Sequence, residues 1–261
     1  MQVLGGTAQL RVEVANTSQI GECRRAAQGL ARRHGFDDTA IGKAGIVATE
    51  LANNLVQHAV GGELLIQVLD QGALMELELI AIDRGPGMLD VQRSLRDGYS
   101  TAGTAGNGLG AVIRQSATFD IYSVPGQGTV VLSRIARESV AGTERARRRP
   151  AGAAALLPLG VICVTMPGQS ECGDAWSIAR SEARTAMLVV DGLGHGPCAA
   201  EAAREAAAAF SRRPFDAPAD AMQQLHLALA GTRGAVAACA LLDHAASSIG
   251  YCAVGNIRSC M

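Results

Sequence analysis

The sequence predicts an α/β protein of two domains, and three observations carry that prediction. Residues 10–136 alternate short strands with amphipathic helices, the pattern of a sheet covered by helices on one face. Residues 137–158 break composition abruptly, with Arg145, Arg147, Arg148, Arg149 and Pro150 in a stretch of no periodicity. A strand, hairpin, helix and hairpin pattern then begins again near Leu156. The expected boundaries are 1–136 for the first domain, 137–154 for a basic Pro/Ala/Gly linker and 155–261 for the second. The linker reads as a solvated spacer rather than a nucleic-acid patch.

In the first domain, LRVEV (10–14) alternates as a strand, and Asn16, Thr17 and Ser18 offer N-cap oxygens for a helix to about His34. Asp37 and Asp38 supply a second cap. The helix that follows, to about Ala59, carries Ile41, Ala44, Val47, Leu51 and Leu55 at helical spacing. LLIQVLD (64–70) and LMELELIAID (74–83) read as paired strands; Leu77 and Leu79 alternate with Glu76 and Glu78, which predicts one wet face. A Gly-, Ser- and Thr-rich run from Arg84 to Asn107 is long enough for a lid or binding loop. A helix (109–117), TFDIYSVP, a PGQG turn and TVVLSRI complete a mixed sheet. In the second domain LGVICVTM reads as a buried strand, GDAWSIAR with TAMLVVDG as a hairpin, HGPCAAEAAREAAAAF as a helix, and AVAACALLD with SSIGYCAV as a further hairpin.

Composition narrows the function classes. The chain has 261 residues, 48% hydrophobic, and a net charge of -1, which gives no electrostatic case for nucleic-acid or membrane partners. Aromatic content is 3%, so the cores must be built from Ala, Val, Leu and Ile. Seven cysteines with no Cys-x-x-Cys spacing argue for reduced thiols in a cytoplasm rather than a disulfide framework or a zinc ribbon. The N-terminus has no basic region followed by a long apolar run, so no signal peptide is expected, and no apolar run approaches a membrane span.

Two constellations carry chemistry. In ELANNLVQHA (50–59), Glu50, Asn54 and His58 recur every four residues and stack on one helix face beside the core stripe of Leu51 and Leu55. An amide oxygen one turn from a carboxylate suits a Mg²⁺ that keeps waters and phosphate oxygens, and the carboxylate can take a proton from an attacking hydroxyl. Asp83 ends a strand and opens a Gly-Pro-Gly turn, where it can accept from an exocyclic amine; Gly106, Gly108 and Gly110 open a helix whose free N–H groups favour phosphate. Structural roles are the alternative for each: Asp83 starting a type I turn, Asn54 capping a loop, His58 as a polar helix end. In the second domain, a turn at Ser181–Arg184 pairs position i with 365 minus i and sets Asp174 opposite Asp191. Two facing carboxylates repel unless a cation or proton lies between them, and the Gly192 carbonyl is a further hard oxygen ligand. A metal-free pair of Asp-Gly and Gly-Asp turn edges fits the same residues.

These motifs resemble known families. ELANNLVQHA looks like the N box of the GHKL (histidine-kinase-like) ATPases, DRGPG their first glycine box and GNGLG their second, over about residues 8–136. The resemblance implies a Bergerat-type α/β sandwich that binds Mg²⁺ and ATP. Within it Asn54 matches the Mg²⁺-binding asparagine, Glu50 the general base and Asp83 the adenine-reading aspartate. Gly85 and Gly87 match the turn below the base, and Gly106, Gly108, Leu109 and Gly110 the phosphate-facing lid end. The tail GLGAVIRQSATFDIYSVPGQGTVV is similar to the anti-sigma and stress-switch serine kinases, which implies a STAS-type antagonist or a sigma factor as partner and allows a homodimer.

GDAW and DGLGHGPCAAEAA resemble the SpoIIE-type branch of the PPM serine/threonine phosphatases, RsbX-like members in particular, with a partial α-β-β-α sandwich as the implied fold. Asp174, Asp191 and Gly192 match its Mn²⁺- or Mg²⁺-binding positions; His195 lies in the matching segment. The remaining acidic ligands of that family come from motifs beyond GNI, Asp243 is a poor substitute for them, and an incomplete metal site is the expectation. The joint expectation is a signalling switch that writes and erases one phosphoserine. Two alternatives stay open: an ATP-gated anti-sigma binding protein, and an ATP sensor acting on the second domain in cis.

Overall fold

The structure is a computed structural model that describes residues 2–6, 9–59, 61–70, 75–91, 108–137, 159–166, 169 and 171–260. The chain divides into two compact units, Leu10–Leu69 with Leu74–Arg147, and Met1–Gln9 with Asp70–Ala73 and Arg148–Met261. The linker expected at 137–154 lies outside the described residues beyond Arg137. No helix among the described residues is long and apolar enough to cross a membrane.

In the unit starting at Leu10, β2 (Leu10–Val14) leads into α1 (Ser18–Arg33) and α2 (Asp38–His58). Asn16 Oδ1 accepts from the Ser18 amide at 3.0 Å, and Gln19 Oε1 accepts from the Ala15 and Asn16 amides at 2.8 Å, so the lead-in is tied back by side chains. Thr17, the N-cap of α1, makes no side-chain cap bond. Asp37 does cap α2, accepting from the Ala40 amide at 2.9 Å. There follow β3 (Gly62–Asp70), β4 (Met75–Asp83), α3 (Gly108–Gln115), β5 (Thr118–Val124) and β6 (Gly128–Ala136). Val47, Leu51 and Leu55 of α2 bury against Ile66, Leu77, Leu79 and Ile135 of the sheet. A helix layer on one sheet face is the expected architecture.

Two expectations need correction here. Within this unit the strand order is β2-β3-β4-β6-β5, and β2–β3, β4–β6 and β5–β6 are all antiparallel, where a mixed sheet was expected. The crossover through α3 does return β5 parallel to β4, but β6 inserts between them. Secondly, Glu76 and Glu78 are buried rather than wet. Glu78 accepts from Gln67 Nε2 at 2.5 Å and from Arg134 Nε at 2.7 Å, so its charge is paired on neighbouring strands. Burial pushes the Glu76 carboxyl up, opposed by Arg134.

The other unit is built from β7 (Asp174–Arg180), β8 (Arg184–Gly192), α4 (Pro197–Arg212), α5 (Pro218–Ala228), β9 (Ala235–Asp243) and β10 (Ser248–Val254). Its sheet order is β10-β9-β8-β7-β1, and every pair in it is antiparallel. Strand β1 (Gln2–Gly6) pairs with β7, so the first nine residues join this unit although the sequence places them with residues 10–136. Pairing across so long a stretch of chain leaves no local signature. Ala203, Ala206 and Phe210 of α4 pack on Ala179, Ala186, Leu188 and Ala237 of the sheet. Among the described residues this unit is one sheet with one helix layer, not the second sheet of an α-β-β-α sandwich; its strands are all used in one ladder.

LGVICVTM is not a strand. Val164 makes only an isolated parallel bridge to Gln9, and Ile162 and Met166 are mostly exposed. An apolar run becomes a strand only where a neighbour offers a ladder of donors and acceptors, and Gln9 offers one rung.

Candidate functional site

The first constellation converges on α2. Its Leu51 and Leu55 are buried in the core, which fixes the helix rotation and turns Glu50 and Asn54 to the half-buried face. Gly108, the first residue of α3, lies directly against that face. A Cβ on Gly108 would stand 2.9 Å from Glu50 Oε2 and 3.6 Å from Asn54 Oδ1. Two helix segments more than fifty residues apart in sequence therefore meet in one place. No hydrogen bond joins either side chain to a described residue. Asn53 is half-buried beside them and His58 is exposed.

Asp83 sits where β4 ends. Its Oδ1 accepts from the Gly85 amide at 2.7 Å and the Thr129 amide at 3.1 Å, so the side chain closes the turn and grips the start of β6. Oδ2 takes no hydrogen bond among the described residues. Glycine is required around it by contact with backbone: a Cβ on Gly85 would collide with the His58 carbonyl, and one on Gly87 (φ +68) with the Val124 carbonyl. The Pro86 carbonyl accepts from Gly126 at 2.8 Å and the Met88 amide donates to Ser123 Oγ at 2.8 Å. DRGPG is thereby clasped to the β5–β6 turn. Sequence reasoning missed Ser123 and Thr129, whose hydroxyls lie 2.9 Å apart; the PGQG turn between their strands was the available signal. Gly110 is buried, and Leu109 packs half-buried against the core. Gly106 lies outside the described residues, as does the Arg84–Asn107 run beyond Val91.

In the second constellation, the β7–β8 ladder sets Asp174 opposite Asp191 in the 365 minus i register, closed by the Ser181 amide donating to Arg184 O at 2.8 Å. Burial and then the neighbouring Asp191 push the Asp174 carboxyl above the usual carboxylate range. Both carboxylates line a cleft of about 380 Å³ with Glu171, Cys172, Gly173, His195 and Gly196. Gly192 is buried, its amide donates to Gly173 O at 2.9 Å, and a Cβ there would collide with the Ala199 carbonyl of α4. Asp243 is paired with Arg184, seven residues down β8 from Asp191. At ~3.3 Å per residue that is roughly 23 Å away. Its Oδ1 accepts from the Ala245 and Ala246 amides, so it serves its own turn.

Residues 14–134 match the model of the histidine kinase-like ATPase domain. Over 121 residues the chain is 34% identical to the serine/threonine-protein kinase RsbT of Bacillus subtilis (strain 168), covering 46% of this chain and 90% of RsbT. The chain belongs to the histidine kinase-like ATPase family. The family's matched segment contains Glu50, Asn54, Asp83 and Gly108 together. Two solved structures are also similar. One, described as "The bacterial stressosome: a modular system that has been adapted to control secondary messenger signaling", shares 40% identity at a TM-score of 0.33, covering 34% of this chain and 47% of that one. The other, RsbX in complex with magnesium, shares 25% identity at a TM-score of 0.35, covering 36% and 47%. The chain spans about half the length of either solved structure.

Proposed function

We propose that residues 10–136 form an ATP-dependent serine/threonine kinase acting on a STAS-type antagonist in a partner-switching signalling system. The observation that carries this reading is the approach of Gly108 to Glu50 and Asn54, which sets a carboxylate and an amide beside a side-chain-free helix start. Glu50 would take the proton of the attacking hydroxyl, and Asp83 Oδ2 would accept from the adenine amine. Asn54 would hold Mg²⁺, which when bound neutralises charge on the phosphate oxygens. Free N–H groups at the start of α3 would face those oxygens. RsbT is by its name a serine/threonine-protein kinase, in keeping with a catalytic carboxylate rather than simple sequestration of a partner such as a sigma factor.

The second unit, in this reading, is a phosphoserine phosphatase-like module. Asp174, Asp191 and the Gly192 carbonyl would hold Mn²⁺ or Mg²⁺; a cation between the two carboxylates relieves the repulsion that, after burial, raises Asp174. Tethering the two modules gives one phosphoserine both its writer and its eraser at high effective concentration.

Incubation with labelled ATP and a serine-bearing STAS domain tests the kinase. Transfer is expected, and Glu50→Gln should cut it about 10²–10⁴-fold with ATP binding retained. Transfer that survives Glu50→Gln unchanged would sink the assignment of the base. Binding of the partner with no transfer would favour the ATP-gated binding protein instead.

A further inference from the structure

The second unit holds a side-chain cluster of which the proposed reactions use only Asp174. Cys163 and Cys172, both buried, place their Sγ atoms 3.6 Å apart. A carboxylate oxygen of Asp174 joins them, and the three donor atoms lie within 4.8 Å of one another. We propose that Cys163, Cys172 and Asp174 form a binding site for a thiophilic divalent cation of the Zn²⁺ class, adjoining the Asp174–Asp191 pair and sharing Asp174 with it.

The separation fits such an ion. Two thiolates about 2.3 Å from one tetrahedral Zn²⁺ stand roughly 3.8 Å apart. The backbone around both thiols is held from independent directions. Gln9 donates its amide to Cys163 O at 2.8 Å, and its Oε1 accepts the Cys163 amide at 3.1 Å, with the Gln9 side chain buried. On the other side Gly173, next to Cys172, accepts the Gly192 amide at 2.9 Å. The pocket is thus braced before any ion arrives, which lowers the ordering cost of binding. The cleft that Cys172 and Asp174 line leaves a fourth position open to water.

Ligand softness separates the two adjoining sites. Two sulfurs select a soft or borderline ion, whereas Asp174 with Asp191 offers only the oxygens that Mg²⁺ and Mn²⁺ prefer. Because Asp174 belongs to both, a Zn²⁺-class ion on the thiols draws one carboxylate away from the hard-cation pair. Nothing in this site depends on either unit being catalytic.

Titration of the reduced, metal-stripped full chain with Co²⁺ tests it. One equivalent should produce a thiolate-to-cobalt charge-transfer band with tetrahedral ligand-field bands, and Zn²⁺ should discharge both. Cys163→Ser and Cys172→Ser should each remove the charge-transfer intensity or weaken Zn²⁺ binding at least about tenfold. Asp174→Asn should weaken it while Asp191→Asn does not, and the exposed Cys198→Ser and Cys260→Ser should leave it intact. The wild-type spectrum decides even if a variant misfolds: reduced protein that gives no charge-transfer band overturns the site. A band that persists in both Cys163→Ser and Cys172→Ser assigns the ion elsewhere and overturns it equally.

Discussion

Glu50 and Asp174 are both carboxylates at the edge of a candidate ligand site, yet the chain holds them in opposite ways. Glu50 rides on a helix whose neighbouring stripe, Leu51 and Leu55, is locked into the core, and its close neighbour is a glycine with nothing to pair. Asp174 stands on a strand end facing a second carboxylate, and the ladder that aligns the two also forces them together. In the first unit hydrophobic packing of the neighbouring stripe positions the polar group. In the second, positioning itself creates a repulsion that a proton or a cation would relieve. The glycines divide in the same manner: a side chain on Gly108 meets the movable end of Glu50, while one on Gly85 or Gly192 meets backbone.

The largest expected effect tests the packing half of that contrast. Leu51→Ala removes a fully buried side chain and should destabilise the first unit by about 2–5 kcal/mol, read as a lower midpoint in denaturant. A loss under about 1 kcal/mol would mean that the core does not fix the rotation of α2. Next come the glycines. Gly85→Ala and Gly192→Ala should each cost about 1–3 kcal/mol because the opposing carbonyls cannot step aside. Gly108→Ala should leave the midpoint nearly unchanged and instead impair phosphoryl transfer by displacing Glu50; the reverse pattern would dissolve the distinction.

The smallest effect tests the repulsion. The Asp174 pKa is raised in the fold, so between the ordinary carboxylate range and the raised one the native state keeps a proton that the unfolded chain has lost. Stability from this group therefore falls as pH rises through that window. Asp174→Asn should flatten the fall and gain up to about 1 kcal/mol at neutral pH without metal. Mn²⁺ should stabilise the parent chain and not the variant, measured as thermal shifts across pH.

Much of this was readable from residue order. The β7–β8 register followed from a four-residue turn, because a short loop leaves few pairings and alternation excludes a one-residue slip. Asp37 declared its helix, and the stripe of Leu51 and Leu55 declared which face of α2 looks inward, so the neighbouring face could be read as the candidate site. The errors share one cause. Glu76 and Glu78 alternate like a wet face, but Gln67 and Arg134, from other strands, supply the partners that let Glu78 be buried. LGVICVTM looks like a strand, but only Gln9 comes to meet it.

Local periodicity and turn chemistry act over a few residues, so the helices, the hairpins and the Asp174–Asp191 pairing are properties of the chain's own order. Which distant segments meet depends on contacts whose loop-closure cost and reward belong to the whole fold. That is where β1 found β7, Gly108 found Glu50 and Asn54, and two cysteines without any motif spacing came within 3.6 Å of each other.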